Sequence, residues 1–434
     1  MSDTTLRRII AALNSAPTPY HAVATMVSTL VKKGFTELDE GDNWQLTAGG
    51  RYYVIRDFSS IIAFTVPEVG LADITPLRLV AAHTDSPALK IKPTPLKEKK
   101  KHLLWDVAVY GSPIISTWFD RDLSLAGLVG YTDGSDTIKY QLLDFKRPIS
   151  RLANLAIHLN KETNKGYSPQ LHDELNPFFS SEKTKNAPEK QFDKLLLDEL
   201  VASGCGKGKA KNIDIMDWDL AFYDTQPAAL CGFANEWLAG ARLDNLLSCF
   251  SGLEALCEGG KNNTLSMLAC FDHEEVGSQS ATGAAGNFIE STLHRLLPNQ
   301  ETFSRSMAQS RMLSVDNAHA YHPNHPSRQD DNNSPTMGDG IVLKYNSNQR
   351  YTTNAISGSW LQGLCKKHGI PTQKFSVRAD MPCGSTIGPI LTANLGISAI
   401  DIGIPTWAMH SIRETAGSND IKSLVELLTR FYDR

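Results

Sequence analysis

Leu265-Ser266-Met267-Leu268-Ala269-Cys270-Phe271 is followed without a break by Asp272-His273-Glu274-Glu275. The first seven residues are almost wholly apolar and too few for a typical buried helix, so they read as a strand covered on both faces. The next four are all ionisable. An apolar strand that ends in ionisable residues fits an open α/β sheet, whose ligands bind beyond the carboxyl ends of its strands.

The same pattern recurs on either side of this stretch. Residues 77–82, apolar except for Arg78, end in His83-Thr84-Asp85. Residues 311–315 end in Asp316, and residues 397–402 lead through Gly403-Ile404-Pro405 to His410. Four strands thus deliver His, Glu, Asp and His towards one rim. Asp244 opens a helical stretch over 243–258, and the loop before it can approach the same rim; capping that helix is its ordinary alternative. Two histidines and three carboxylates suit zinc, and also manganese or cobalt. Five protein ligands exceed one open tetrahedral site. They suit two metals about 3.5–4 Å apart that share a carboxylate and hold a hydroxide between them. Glu274, beside the candidate ligand Glu275, can then act as a base. Taken singly, each of these residues also reads as an ordinary solvated or structural polar group, and spacing alone does not name a reaction.

Composition narrows the setting. The chain has 434 residues, enough for two or three domains and at least one large core. Its net charge is -4 and its pI about 6.3, with no basic stripe, so nucleic acid is not an expected partner. The run 97–101 (Lys-Glu-Lys-Lys-Lys) contains its own acid and reads as a solvated loop. The first residues lack a signal peptide's basic start and apolar core, and no apolar run approaches the roughly 20 residues that span a bilayer. A cytoplasmic location is therefore expected, without membrane association. Seven cysteines, odd in number and without Cys-x-x-Cys, fit a reducing compartment and leave any metal to Asp, Glu and His.

Residues 1–35 read as two helices, with Ser2 or Asp3 to cap the first and Pro19 to open the second. Strands follow at 52–55, 61–66 and 77–82. From 91 to 235 the texture changes: strand-like pieces at 105–110, 125–131 and 138–143 precede polar stretches at 167–190 and 204–211, which read as long loops. After 236, helices at 243–258, 288–297, 357–368 and 421–431 alternate with strands at 265–271, 311–315, 341–345, 374–377 and 397–402. Such alternation indicates a largely parallel sheet covered by helices on both faces. Residues 1–90 and 236–434 would form this α/β domain, interrupted by an insertion over 91–235.

Several segments together resemble the aspartyl aminopeptidase family of co-catalytic zinc exopeptidases, in its bacterial form. They are Ala81-Ala82-His83-Thr84-Asp85-Ser86-Pro87, Gly240-Ala241-Arg242-Leu243-Asp244-Asn245, and Asp272-His273-Glu274-Glu275-Val276-Gly277-Ser278. Asp316-Asn317-Ala318-His319-Ala320, His322-Pro323-Asn324, Lys344 with Tyr345 to Tyr351, Cys383 to Pro389, and Met409-His410-Ser411-Ile412-Arg413-Glu414 continue the match in family order. The resemblance spans essentially the whole chain. It implies a mixed sheet of the zinc exopeptidase type, an inserted β-rich dimerisation domain, and dimers assembled into a tetrahedral dodecamer.

For the site, the resemblance implies two zinc ions per subunit. Asp244 would bridge them, Glu275 and His410 completing one and His83 and Asp316 the other. Asp85 would orient an imidazole ligand. Glu274 would be the general base that takes a proton from the bridging water, leaving the hydroxide nucleophile, and passes it to the leaving amine. His158 matches a histidine projected from the insertion into a neighbouring subunit's site, where it can stabilise an oxyanion; a buried structural histidine in a strand is the competing reading. Lys344 matches a contact for an acidic substrate side chain, against the reading of an exposed lysine at a strand end. His319 and His322 would line the substrate site. The implied activity is removal of N-terminal Asp or Glu from peptides. Broader or neutral specificity, hydrolysis of acyl-amino acids and an inactive binding scaffold are the alternatives.

Overall fold

The computed structural model describes residues 3–71, 74–181, 188–205, 212–259 and 263–434. The helix cap expected from Ser2 or Asp3 lies outside the described side chains, as do residues 182–187 and 206–211 of the two polar stretches. The chain divides into two compact units. One comprises Met1–Ser86, Ala228–Met409 and Arg413–Arg434; the other comprises Pro87–Pro227 with His410–Ile412.

The first unit is built on a nine-stranded sheet. Its centre is four parallel strands in the order Leu265–Phe271, Leu77–His83, Arg311–Val315, Ser398–Gly403. Ser60–Thr65 and Arg51–Arg56 extend it on one side in antiparallel pairing. On the other side Ile341–Lys344 runs antiparallel to Ser398–Gly403 and is followed by Thr372–Phe375. The sheet is therefore mixed: its four central strands are parallel, and parallel pairs recur at both edges, Thr36–Glu37 with Arg51–Arg56 and Ile341–Lys344 with Thr372–Phe375.

Every residue of Leu265–Phe271 is buried because both faces are covered. Successive side chains alternate between those faces. Leu268 and Cys270 join Val80, Leu313 and Ile400 under the helices Asp3–Asn14, Pro19–Lys32, Leu243–Glu258 and Ser418–Tyr432. Met267, Ala269 and Phe271 join Leu79 and Met312 under Phe288–Leu296 and Ile387–Leu395. Each large apolar side chain so buried contributes about 1.5–3 kcal/mol, which outweighs local propensity in a seven-residue segment.

The helix ends follow local chemistry. Pro19–Lys32 starts on a proline, with the Thr18 hydroxyl accepting from His21 N–H. Ala355–His368 opens on a capping box between Asn354 and Ser357 and closes at Gly369, whose φ is 68°. At the end of Ser398–Gly403, a Cβ on Gly403 would lie 1.9 Å from the Asp316 carbonyl oxygen. Glycine there lets two strand ends pass close enough to fix the backbone of Asp316.

A five-stranded sheet of short strands (Ala229–Cys231, Trp237–Gly240, Glu414–Gly417, Pro405–Trp407, Ala318–His319) completes the first unit. In the second unit, seven strands run in the order Asp214–Asp224, Ala88–Lys99, His102–Tyr110, Phe178–Ser180, Ser150–Arg151, Asp122–Thr132, Lys139–Asp144. Asp214–Asp224 also pairs with Asp122–Thr132, so the sheet curls back on itself. Trp105, Phe222 and Phe192, the last from the helix Pro188–Ala202, fill its core. Among the described residues no helix is long and apolar enough to cross a membrane.

Candidate metal centre

His83 closes the strand Leu77–His83 and is buried. Its Nδ1 lies 3.1 Å from the Asp85 carbonyl oxygen and 3.3 Å from Asp85 Oδ1. That contact turns Nε2 towards a ring of carboxylates: 3.6 Å to Asp244 Oδ1, 3.9 Å to Glu274 Oε2 and 3.9 Å to Asp316 Oδ1. One potential ligand atom from each of His83, Asp244 and Glu275 lies within 4.8 Å of the other two. His83 and Glu275 are brought together by adjacent parallel strands, and Asp244 joins them from the start of Leu243–Glu258.

Asp85 does more than orient the imidazole. Its Oδ1 accepts from Glu274 N–H at 3.1 Å and its Oδ2 from Glu275 N–H at 3.0 Å. The two glutamates occupy a single 3₁₀ turn, Glu274–Val276, entered through His273 at φ 64° and left through Gly277 at φ 99°. Asp244 has φ −82° and ψ 107°, outside the helical region, so it stands ahead of the regular part of Leu243–Glu258. Its N–H donates to Glu414 Oε2 at 2.9 Å, and its carbonyl accepts from the Ser86 hydroxyl at 2.7 Å. Lys344 is 2% exposed, with Nζ 3.6 Å from Asp316 Oδ2 and 5.4 Å from the centre of the Tyr351 ring. The reading of Lys344 as an exposed strand-end lysine is thereby overturned.

The electrostatics call for a cation. Burial works against a charged His83, yet Asp316 and Asp85 outweigh it and raise its pKa well above the usual imidazole value. Burial also pushes Asp316 up, but the Lys344 ammonium and His83 hold it well below the usual carboxylate range. Glu274 is raised to about 7, chiefly by burial, with His83 opposing and the charges of Asp316, Asp244 and Asp85 adding. Several buried carboxylates around one imidazole are costly unless positive charge joins them. A divalent metal answers that demand, and one His with several carboxylates is a donor set that zinc accepts.

The remaining expected site residues are His410, His158, His319 and His322. His410 groups with the second unit, where its Nδ1 is 3.0 Å from the Ser112 carbonyl oxygen. His158 is exposed in a turn of the second unit, flanked by exposed Leu155, Ile157 and Leu159; it is not a buried strand residue. His319 is exposed, its ring 6.0 Å from Phe375, and His322 packs against Trp407 at the same distance. The first unit thus gathers four of the five expected ligands with Glu274, Asp85 and Lys344. Tyr351, Ser86, Glu414 and Cys249, whose Sγ lies 3.0 Å from the His83 carbonyl oxygen, were not given roles by the sequence reading. The first three stand inside the matching segments, which was the available signal; a thiol in mid-helix carries none.

Comparison with known proteins decides the family. The model of the aminopeptidase I zinc metalloproteases (M18) matches residues 12–432. The chain belongs to the M18 aminopeptidase family. The aminopeptidase is 47% identical over 433 residues to a Stutzerimonas stutzeri (strain A1501) protein described as a probable M18 family aminopeptidase 2, covering 100% of this chain and 99% of that one. A protein of Ectopseudomonas mendocina (strain ymp) with the same description is 45% identical over the same shares. Among solved structures, a chain in the cryo-EM structure of the Ape4 and Nbr1 complex is similar at a TM-score of 0.94 and 36% identity, covering 99% of this chain and 86% of that one. The S. cerevisiae mApe1 dodecamer gives 0.85 at 26% identity, over 100% and 98%. The aminopeptidase is therefore a hydrolase of a zinc metalloprotease family, on a mixed α/β fold shared with these structures.

Proposed function

We propose that this M18 enzyme is a di-zinc aminopeptidase that releases N-terminal Asp or Glu from peptides. The observation that carries the reading is the convergence of His83, Asp244 and Glu275 ligand atoms within 4.8 Å of one another, beside Glu274. Asp244 would be shared by both ions, with Glu275 and His410 completing one site and His83 and Asp316 the other. When bound, the zinc pair acidifies a water and polarises the scissile carbonyl. Cobalt or manganese fits the same donors.

Glu274 takes the proton from the attacking water and gives it to the leaving amine. Its position supports this role: Glu274 Oε2 lies 3.9 Å from His83 Nε2, beside the residues that would hold the metal. Asp85 keeps the base and its neighbouring ligand in one rigid turn while holding His83 Nδ1, so that Nε2 is left to coordinate. The Ser112 carbonyl plays the corresponding part for His410. His158, on its exposed turn, would stabilise the developing oxyanion in a neighbouring subunit. The second unit would serve dimerisation, and dimers would build a dodecamer as in mApe1. Lys344 would pair with the acidic side chain of the substrate, and His319 and His322 would line its path. The expected setting is the cytoplasm.

A second reading, broader or neutral specificity, draws on the Lys344–Asp316 contact at 3.6 Å, because an ammonium already facing a carboxylate offers less charge to a substrate. One experiment separates the possibilities. Enzyme stripped by chelation and reloaded with zinc is offered aspartyl, glutamyl, leucyl and acetyl-aspartyl substrates. The expected result is two zinc ions per chain, activity lost and regained with the metal, preference for acidic residues, and no turnover of the acetylated substrate. Full activity at one zinc per chain removes the paired site; equal turnover of leucyl and aspartyl substrates removes the acidic preference.

A further inference from the structure

At the end of the central sheet opposite the metal centre, four parallel strands place Ser266, Arg78, Arg311 and Ser398 side by side. Ser266 is in register with Arg78, Arg78 with Arg311, and Arg311 with Ser398. Registered neighbours on parallel strands share a face. It is the face covered by Ala355–His368, which adds Trp360, and by Ser418–Tyr432, whose end leads through Asp433 to Arg434. The guanidinium carbons of Arg311 and Arg434 lie 6.0 and 5.3 Å from the Trp360 ring centre.

Among the described residues no carboxylate forms an ion pair with Arg78, Arg311 or Arg434. Arg78 and Arg311 each turn an Nη1 back onto the carbonyl of the residue before, Leu77 and Ser310. Among the described residues, Arg78 Nε and Ser266 Oγ are buried without a hydrogen-bond partner. Burial lowers the Arg78 pKa, and the like charges of Arg311 and Arg434 lower it further. The partial negative charge at the end of Ser418–Tyr432 offsets about half of one such charge. Buried donors and adjacent cations of this kind are stabilised by an anion that accepts from several of them at once.

We propose that Arg78, Arg311 and Arg434, with the hydroxyls of Ser266 and Ser398, form a binding site for a small tetrahedral oxyanion of the phosphate or sulfate class. Guanidinium forks match such oxygens, and Trp360 holds two of the forks in place. The site is independent of the hydrolytic reaction. It nevertheless anchors the first residues of the two strands that end in His83 and lead to Asp316, about 16 Å away along the strand.

The test uses the zinc-loaded enzyme with inorganic sulfate as probe, against chloride at matched ionic strength. The melting temperature of the unaltered chain is expected to rise saturably, by about 2 °C at tenfold excess over Kd. That rise should fall by at least half in both Arg311→Gln and Arg434→Gln, with peptide turnover unchanged. Arg434 is exposed, so its variant folds even where Arg311→Gln does not, and it then decides alone. No rise in the unaltered chain overturns the assignment. So does an equal rise in Arg434→Gln, which would place the sulfate at the metal centre or elsewhere.

Discussion

Glu274 and Glu275 are adjacent in sequence and share a single turn pinned by Asp85, yet the tasks proposed for them differ. Replacing Glu274 with Gln preserves the backbone hydrogen bond to Asp85 and the shape of the site while removing the proton acceptor. The expected outcome is a fall in kcat of about 10²–10⁴-fold with zinc content unchanged, read by turnover and metal analysis on the same sample. Near-normal turnover would assign the base elsewhere. Lys344→Ala tests the neighbouring question: kcat/KM for aspartyl and glutamyl substrates should drop at least about tenfold while leucyl substrates change little. An equal drop for all three would leave Lys344 only its contact with Asp316. At this scale much was legible in the sequence. His83, Glu275 and Asp316 each follow an apolar run, and that pattern marks them. The grip of Glu414 on Asp244 was not legible, because it joins residues 170 positions apart through a sheet that no local pattern describes.

Among the elements, apolar strands such as Leu265–Phe271 declared themselves because burial on both faces leaves a continuous hydrophobic run. Asp214–Asp224 did not, since its exposed positions carry Asp214, Asp217 and Met216 and break the pattern. The helix Pro188–Ala202 is hidden in the same way: Phe192, Leu196 and Leu200 recur every fourth residue and are buried, but Lys, Asp and Glu surround them. The helix Ser418–Tyr432 was clear, although the task of its first turn was not. Asp420 is buried and accepts from Gly338 N–H at 2.6 Å and Gly340 N–H at 2.8 Å, yet burial still raises its pKa to about 6. A carboxyl that binds its proton more tightly when folded stabilises the protein below the unfolded value near 4, and that contribution is lost as pH rises through about 6. Relative to Asp420→Asn, the unaltered chain should therefore lose about 2–3 kcal/mol between pH 4 and pH 6 and little beyond it. Chemical denaturation at pH 4.5 and pH 7 reads the difference; a constant gap would mean that the carboxyl ionises as it does in the unfolded chain.

Over the whole molecule, the exposed turn bearing His158 makes a prediction that no single chain can satisfy. If that histidine serves a neighbouring subunit, His158→Ala and Glu274→Gln should each be nearly inactive alone. Mixed after dissociation and reassembly, they should regain about a quarter of normal activity, from sites that draw an intact residue from each chain. Absence of any recovery in verified mixed oligomers would place His158 outside the reaction. The order of strands carries a different consequence. Leu265–Phe271 lies between Ser60–Thr65 and Leu77–His83, so two early strands meet only across a late one. A ribosome adding about 5–20 residues per second leaves those early strands waiting roughly 9–36 s for their partner. During that interval their bare edges and apolar faces are open to other nascent chains, so this enzyme should depend on chaperones during synthesis more than one whose strands pair in the order they emerge.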